Sequence, residues 1–154
     1  MSDAAFMGAA LEEAAHGLDA GEMPIGSVVV ADDEIVARGH WRATDGLLSH
    51  PELVTLQQAN RRGVTLYTTL EPCLLCMAGA MFAFAERVVF ALESPTDGGT
   101  GIGALWDPAA GSNAPYRFPD VVSGVRRDES LALMRDFLQQ VPDSPFAPWA
   151  QTVA

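Results

Sequence analysis

Four side chains in this sequence have the types and the spacing of a catalytic metal site. His50 and Glu52 stand two residues apart, and further along the chain Cys73 and Cys76 stand three apart. A catalytic zinc takes three protein ligands and leaves a fourth position for water, whereas a structural zinc is closed by four. His50, Cys73 and Cys76 supply a set of three, and Glu52 is close enough to His50 to face the same water.

This set predicts hydrolysis. Zinc lowers the pKa of water toward neutrality, and a nearby carboxylate can then carry the proton from the water to a leaving amine. Taken alone, each half also has a plain structural interpretation. Cys73 and Cys76 can be two small buried thiols, and His50 with Glu52 can simply begin a helix. Both halves in order, the second after a predicted strand and at the start of a helix, favour the metal site.

Two helix starts must position these groups. Pro51 suits the first position of a helix, so the sequence predicts a helix from residue 51 that stops at Gly63, with His50 at its start. A β-branched run predicts a strand over 64–70, and the small, apolar segment 73–86 predicts a buried helix. Cys73 and Cys76 then lie on one face of its first turn, where the helix N-terminus favours thiolates.

The remaining elements predict an α/β fold. Apolar spacing indicates helices over 3–18 and 128–140, and β-branched runs indicate strands over 25–31, 34–39 and 87–92. The first two strands form a hairpin, and strand–helix–strand succession calls for a parallel crossover, so the sheet is mixed with helices on both faces. We expect one domain over 1–154, with a tail from about 141 and a long, functional loop over 93–119.

Charge and hydropathy limit the partners. The formal net charge is −11, all nine basic residues are Arg, and the chain has no Lys, so it has little cation density for a phosphate backbone. Nucleic acid is therefore an unlikely partner. No apolar run reaches the length of about 18 residues that a membrane span needs, and the N-terminus lacks a basic segment followed by an apolar one. We expect a soluble, cytoplasmic protein.

The motifs carry a family resemblance. His50-Pro51-Glu52 and Pro72-Cys73-Leu74-Leu75-Cys76 match the H-x-E and P-C-x-x-C signature of zinc deaminases. With GEMPIGSVVV, TLYTTLEPCLLCMAGAM and RVVFALESPTDGGTGIGAL around them, the chain resembles the cytidine/deoxycytidylate deaminase superfamily over about residues 21–105. Within this superfamily, the chain most resembles the branch of tRNA adenosine deaminases and guanine deaminases. The resemblance implies a three-layer α/β/α fold with about five strands, a homodimer, zinc on His50, Cys73 and Cys76, and Glu52 as proton shuttle.

The sequence departs from this family at two residues that bear on ring recognition. Pro51 replaces a small residue whose N–H contacts the substrate ring in some relatives, and proline has no N–H to donate. Trp41 is followed by Arg42, where relatives tend to have an Asn that bonds the ring or ribose. Arg42 can pair with a carbonyl, carboxylate or phosphate but cannot accept a hydrogen bond. Ring recognition is therefore predicted to differ.

Other substrate contacts are predicted from loop placement. Trp106 can stack on a planar ring, and Asp107 can bond a ring nitrogen or amine, although Asp107 beside a proline can equally be a turn residue. In the tail, Phe146 and Trp149 are more typical of packing anchors, with a lid over the site as the alternative. The apolar helix after Cys76 can be core or a dimer interface.

Three functions follow in order of preference. The first is hydrolytic deamination of a free base, nucleoside or related amino-heterocycle, guanine- or cytosine-like, with release of ammonia. The second is wobble adenosine deamination in tRNA, which the net charge makes less attractive. The third is a catalytically silent zinc module that acts as a dimer partner, against which the intact Glu52 argues.

Overall fold

The computed structural model describes residues 1–106 and 115–154. Its helices are α1 (Asp3–Asp19), α2 (Pro51–Ala59), α3 (Leu74–Phe82), α4 (Arg127–Gln140) and α5 (Ala147–Val153), and its strands are β1 (Gly26–Ala31), β2 (Glu34–His40), β3 (Thr65–Leu70), β4 (Arg87–Leu92) and β5 (Asp120–Val122). Two short 3₁₀ helices lie at Ala43–Asp45 and Thr100–Ala104. Among the described residues, no helix is long and apolar enough to cross a membrane.

The five strands form one mixed sheet in the order β2-β1-β3-β4-β5. β1 pairs antiparallel with β2 and with β3, whereas β3–β4 and β4–β5 are parallel. Asp32 and Asp33 make the β1–β2 turn with φ of 50° and 62°, the left-handed backbone that tight hairpin turns require. The predicted hairpin and the predicted parallel crossover are both confirmed.

Helices cover both faces of this sheet because side chains alternate along each strand. On one face Val29, Leu66 and Val88 pack in a core cluster with Leu56 of α2 and Met77 of α3. On the other face Val28, Tyr67 and Val89 pack with residues of α1. At the C-terminal end of β4, Leu92 packs in a third cluster with Met134 of α4 and Ala150 of α5. The predicted α/β/α layering is confirmed.

Three elements differ from the prediction. α3 ends at Phe82 and not near Glu86, because Phe84 takes a left-handed φ of 57° that turns the chain out of the helix. β5 has three residues and lies inside a loop-like stretch, too short for a hydrophobic period to mark it. The tail contains the helix α5, which was not predicted because the tail has three prolines. One of them, Pro148, lies in the first turn of α5, where proline is tolerated.

Candidate metal centre and active site

The three candidate ligands are presented by two helix starts, as the sequence predicts. His50 is the residue directly before α2, and Pro51 opens that helix. Cys73 is the residue directly before α3, and Cys76 lies in its first turn. Both helices pack on the same face of the sheet, so the two starts are brought side by side at the end of β3.

The ligand atoms have the separations of a tetrahedral zinc site. Nδ1 of His50 lies 3.5 Å from Sγ of Cys73 and 3.4 Å from Sγ of Cys76, and the two sulfurs are 3.6 Å apart. Zinc bonds of about 2.3 Å to sulfur and about 2.0–2.1 Å to nitrogen, set in a tetrahedron, require about 3.8 Å between sulfurs and about 3.5 Å between nitrogen and sulfur. The donor set and its spacing therefore fit zinc.

The electrostatics of the pair already favour a thiolate. The pKa of the Cys73 thiol is lowered to about 4, because of its side-chain contact with Cys76 and of the His50 ring beside it. The contact with Cys73 raises the pKa of the His50 ring in return. The pKa of Cys76 is raised, because its neighbour holds the negative charge and its own side chain is buried. A divalent cation between the sulfurs would let both ionise.

Glu52 faces the same site from inside the protein. Its residue is 4% exposed, and its Oε1 accepts a hydrogen bond of 2.9 Å from the Thr68 hydroxyl. Its Oε2 lies 3.5 Å from Sγ of Cys76. Burial raises the pKa of the Glu52 carboxyl above its ordinary value, and the Thr68 hydrogen bond opposes that rise. A carboxyl with a raised pKa beside a metal site suits proton transfer near neutral pH.

A cavity of about 230 Å³ opens beside these groups. Its polar wall holds His50, Glu52, Glu71, Cys73 and Asp97, and its apolar wall holds Met23, Ile25, Trp41, Pro51, Leu70, Phe146 and Trp149. Trp41 packs edge-on against His50 and against Phe146, with ring centres 5.5 Å and 5.9 Å apart. An apolar, aromatic cleft with a few converging polar groups is typical of a site for a small planar ligand.

The two tail aromatics belong to this cavity and not to packing alone. α5 and the residue before it place Phe146 and Trp149 on the wall of the cavity that also holds His50 and Cys73. The indole N–H groups of Trp41 and Trp149 are buried and have no hydrogen-bond partner in the described part of the chain. Both residues also pack against the core cluster that holds Met134 and Ala150, as expected for packing anchors, and a lid role stays a prediction.

Two of the predicted substrate contacts lie away from the cavity. Nε of Arg42 bonds Asp45 at 2.8 Å, and the Arg42 side chain is 59% exposed. Trp106 lines a separate apolar cavity between α3 and the Thr100–Ala104 turn. Asp107 lies outside the described residues. Contact of any of these three with substrate stays a prediction, without support from the cavity.

Sequence reasoning missed Asp97 and Thr68 and gave Trp41 no direct role. Each belongs to a different segment, and only the fold brings them to the ligands. The signal for Thr68 was present, because alternation along the predicted strand places it on the same face as the apolar residues Leu66 and Leu70. For Asp97 the loop sequence carries no such periodicity.

Comparison with known proteins agrees with this geometry. Residues 1–92 match the family model described as the cytidine and deoxycytidylate deaminase zinc-binding region. The chain is 33% identical over 150 residues to a tRNA-specific adenosine deaminase of Bacillus subtilis, a match that spans 90% of each chain.

Solved structures give the same result for the fold. One, from a study of A-to-I editing by tRNA:A34 deaminases at the wobble position of transfer RNA, is similar with a TM-score of 0.73 and 30% identity, covering 84% of this chain and 98% of the other. A guanine deaminase from Nitrosomonas europaea is similar with a TM-score of 0.69 and 21% identity, covering 88% and 84%. That second likeness concerns the fold alone.

Proposed function

The chain belongs to the cytidine and deoxycytidylate deaminase family of zinc-dependent enzymes, and we propose that it hydrolyses the exocyclic amine of a small nucleobase, nucleoside or related amino-heterocycle. The observation that carries the proposal is the arrangement of His50, Cys73 and Cys76 at zinc-ligand spacing beside the buried carboxyl of Glu52. We propose a guanine- or cytosine-like ring, since the cavity beside these residues is small and lined by aromatic side chains on which a planar ring can stack.

Each residue of the site has a separate role in the proposed reaction. His50, Cys73 and Cys76 hold zinc, which when bound supplies the Lewis acidity that makes water a nucleophile near neutral pH. Glu52 takes a proton from the attacking water and delivers it to the amine nitrogen, so that the carbon–nitrogen bond breaks and ammonia leaves. Thr68 keeps the Glu52 side chain in place through its hydroxyl. The ring keeps a carbonyl where the amine was.

The dimensions of the cavity support a free small molecule. Its volume of about 230 Å³ is below the range of about 300–1,000 Å³ typical of pockets for drug-sized ligands. Phe146 and Trp149 of the same chain line its wall, and their apolar surface limits the water around a bound ring. Pro51 lines the wall and offers no N–H, so the ring must be held by other groups.

The test is a panel of amino-heterocycles with ammonia detection on zinc-loaded protein: guanine, cytosine, adenosine, cytidine and aminotriazines. We expect release from at least one small ring. Glu52→Gln should keep about one zinc per chain and lose roughly 10²- to 10⁴-fold in turnover, the usual contribution of general acid–base catalysis. Glu12→Gln, a matched change on exposed α1, should lose nothing.

Three outcomes would contradict the proposal. Near-normal ammonia release by Glu52→Gln would remove Glu52 from its role. Zinc-replete wild-type protein that releases no ammonia from the whole panel would favour the silent dimer partner. Protein that cannot hold zinc would remove the chemical basis of hydrolysis.

Wobble adenosine deamination in tRNA is the second candidate function. The relatives favour it, since the Bacillus subtilis protein that is 33% identical over 150 residues carries that name. A large anionic partner is disfavoured by the net charge of −11 and the absence of Lys. It is also disfavoured by the aromatic side chains that line the cavity. Inosine formation in an anticodon stem-loop, at a rate above that for every free ring, would establish this candidate over the first.

A homodimer is also proposed, with α3 at its interface. Leu74 and Phe82 on this helix are 56% and 54% exposed, and with the 43% exposed Trp106 they border an apolar cavity of about 220 Å³. Contiguous apolar surface of this kind marks an interaction site. Phe82→Glu should shift the mass measured by light scattering from dimer to monomer, whereas Leu47→Glu, on a 93% exposed loop residue, should not. A wild-type monomer would contradict this.

Two further expectations remain proposals. We infer that residues 1–154 act as one deaminase domain, because the sheet and its covering helices draw on residues from both ends of the chain. A cytoplasmic location is supported by the two free thiols at the metal site, which an oxidising compartment would endanger.

A further inference from the structure

The charged groups that face the active-site cavity have one sign. In the described part of the chain, three carboxylates line it, those of Glu52, Glu71 and Asp97, and no arginine does. A divalent zinc is balanced by the thiolates of Cys73 and Cys76, so the carboxylates set the sign of the field that a ligand meets. Such a cavity attracts N–H donors and cations and repels phosphate.

Two of the three carboxylates already have other tasks. Glu52 belongs to the proton transfer described above. Glu71 holds neighbouring segments together, because both of its carboxylate oxygens accept hydrogen bonds from the chain. Its Oε2 accepts one of 3.0 Å from the backbone N–H of Ser94, and its Oε1 accepts one from the Thr100 hydroxyl. These bonds fasten the loop after β4 to the turn that carries Cys73.

Asp97 is the carboxylate that can still accept a hydrogen bond from a ligand. One of its oxygens, Oδ1, accepts a hydrogen bond from the hydroxyl of Ser94, which is 3% exposed. No arginine is paired with Asp97 within the ranges 1–106 and 115–154. A carboxylate accepts at two oxygens and cannot donate, so the second oxygen is available to a ligand.

The loop holds Asp97 in place through close backbone packing. Gly98 donates its N–H to the carbonyl of Ser94 at 2.9 Å, and Gly99 donates to the carbonyl of Pro72 at 2.7 Å. A Cβ at Gly98 would lie 2.3 Å from the Glu71 carboxyl carbon, and one at Gly99 would lie 2.6 Å from the Cys73 backbone. At Gly99 the neighbouring atoms are backbone, so only glycine allows this approach of the loop to the residues around Cys73.

We propose that Asp97 determines specificity by accepting a hydrogen bond from a ring N–H or second amino group and by repelling phosphate. The inference rests on the proposed function and narrows its substrate class to unphosphorylated, uncharged or cationic amino-heterocycles that carry an N–H besides the amine that leaves. Bases such as guanine, cytosine and aminotriazines belong to this class, and nucleoside 5′-monophosphates do not. Asp97 is a specificity residue and takes no part in the proton transfer.

The experiment separates binding from turnover. Ammonia release is measured on zinc-loaded wild type and on Asp97→Asn with guanine, cytosine, GMP and CMP, and equilibrium binding of the same compounds is measured by calorimetry in the Glu52→Gln background. Asp136→Asn makes the same charge change on the exposed face of α4 and serves as control. Zinc content and thermal melting confirm that each variant is folded.

We expect Asp97→Asn to weaken binding of the base about 10- to 100-fold, the range of a hydrogen bond to a charged group, and to raise KM with kcat changed far less. Its preference for base over monophosphate should narrow, and Asp97→Arg should favour the monophosphate. If ammonia is released but Asp97→Asn behaves as Asp136→Asn, or wild type accepts monophosphates as well as bases, the inference is wrong while the deaminase stands. If no compound is deaminated, but the bases still bind and Asp97→Asn weakens that binding, the proposed function is wrong and the role of Asp97 in binding stands.

Discussion

Replacing Thr68 by valine should move the acid limb of the pH–activity profile to higher pH. Thr68 is fully buried, and its hydroxyl donates to Oε1 of Glu52 at 2.9 Å. The bond favours the ionised carboxyl, so it holds the Glu52 pKa below the value that burial alone would set. Valine has the same shape without the hydroxyl, so the pKa should rise and the base form of Glu52 should be lost at a higher pH.

The size of this shift follows from one hydrogen bond to a charged group. Such a bond contributes about 1.5–3 kcal/mol, and one pKa unit corresponds to about 1.4 kcal/mol, so the acid limb should move by roughly one to two pH units. Activity should fall near the old midpoint and recover on the alkaline side of the new one. Bound zinc would act on Glu52 in both proteins alike, so the difference between them should persist.

The assay is kcat/KM against pH on zinc-loaded protein, with the best substrate from the panel. Thr69→Val is the matched control, because the neighbouring hydroxyl is equally buried but accepts from the Gly26 N–H at 3.0 Å on the opposite side of β3. It should cost stability without a pH shift. A Thr68→Val profile that coincides with wild type, or an equal shift in Thr69→Val, would refute the assigned protonation control.

Two further predictions concern metal binding and the core. Cys76→Ser should reduce zinc from about one per chain to a small fraction by elemental analysis, and should lower the melting temperature, since a serine hydroxyl is a poor zinc ligand; full zinc retention would contradict the ligand assignment. Gly26→Ala should destabilise the protein by at least about 1–3 kcal/mol in urea, because its Cβ would lie 2.1 Å from the Ala10 carbonyl oxygen, whereas Gly101→Ala, with open space around it, should be near neutral. Equal stabilities of the two glycine variants would show that α1 can move away from β1.

Much of the fold could be predicted from the sequence because its elements are locally marked. The strand Arg87–Leu92 was predicted to the residue, and the helix from Asp3 was predicted with an end one residue early. Their apolar periods are long and regular, and the chain offers no competing period. β5 and the end of α3 were missed, since three residues carry no period and the left-handed turn at Phe84 is set by packing.

The sequence by itself determined the chemistry of the site. His50, Glu52, Cys73 and Cys76 each stand at or near a helix start, and those starts are encoded by Pro51 and Pro72 beside them. Local signals of that kind fix which side chains project together, so the candidate zinc ligands and the proposed proton carrier could both be predicted from motif spacing.

Only the tertiary structure decided what surrounds that chemistry. Trp41, Asp97 and Trp149 come from the end of a strand, a glycine-held loop and the last helix, and they meet on one cavity wall through contacts between segments far apart in the chain. Such contacts depend on how helices and loops pack across the sheet, and this packing leaves no period or motif in any one segment. The candidate metal ligands are therefore encoded locally, whereas the cavity wall beside them is formed by the tertiary structure.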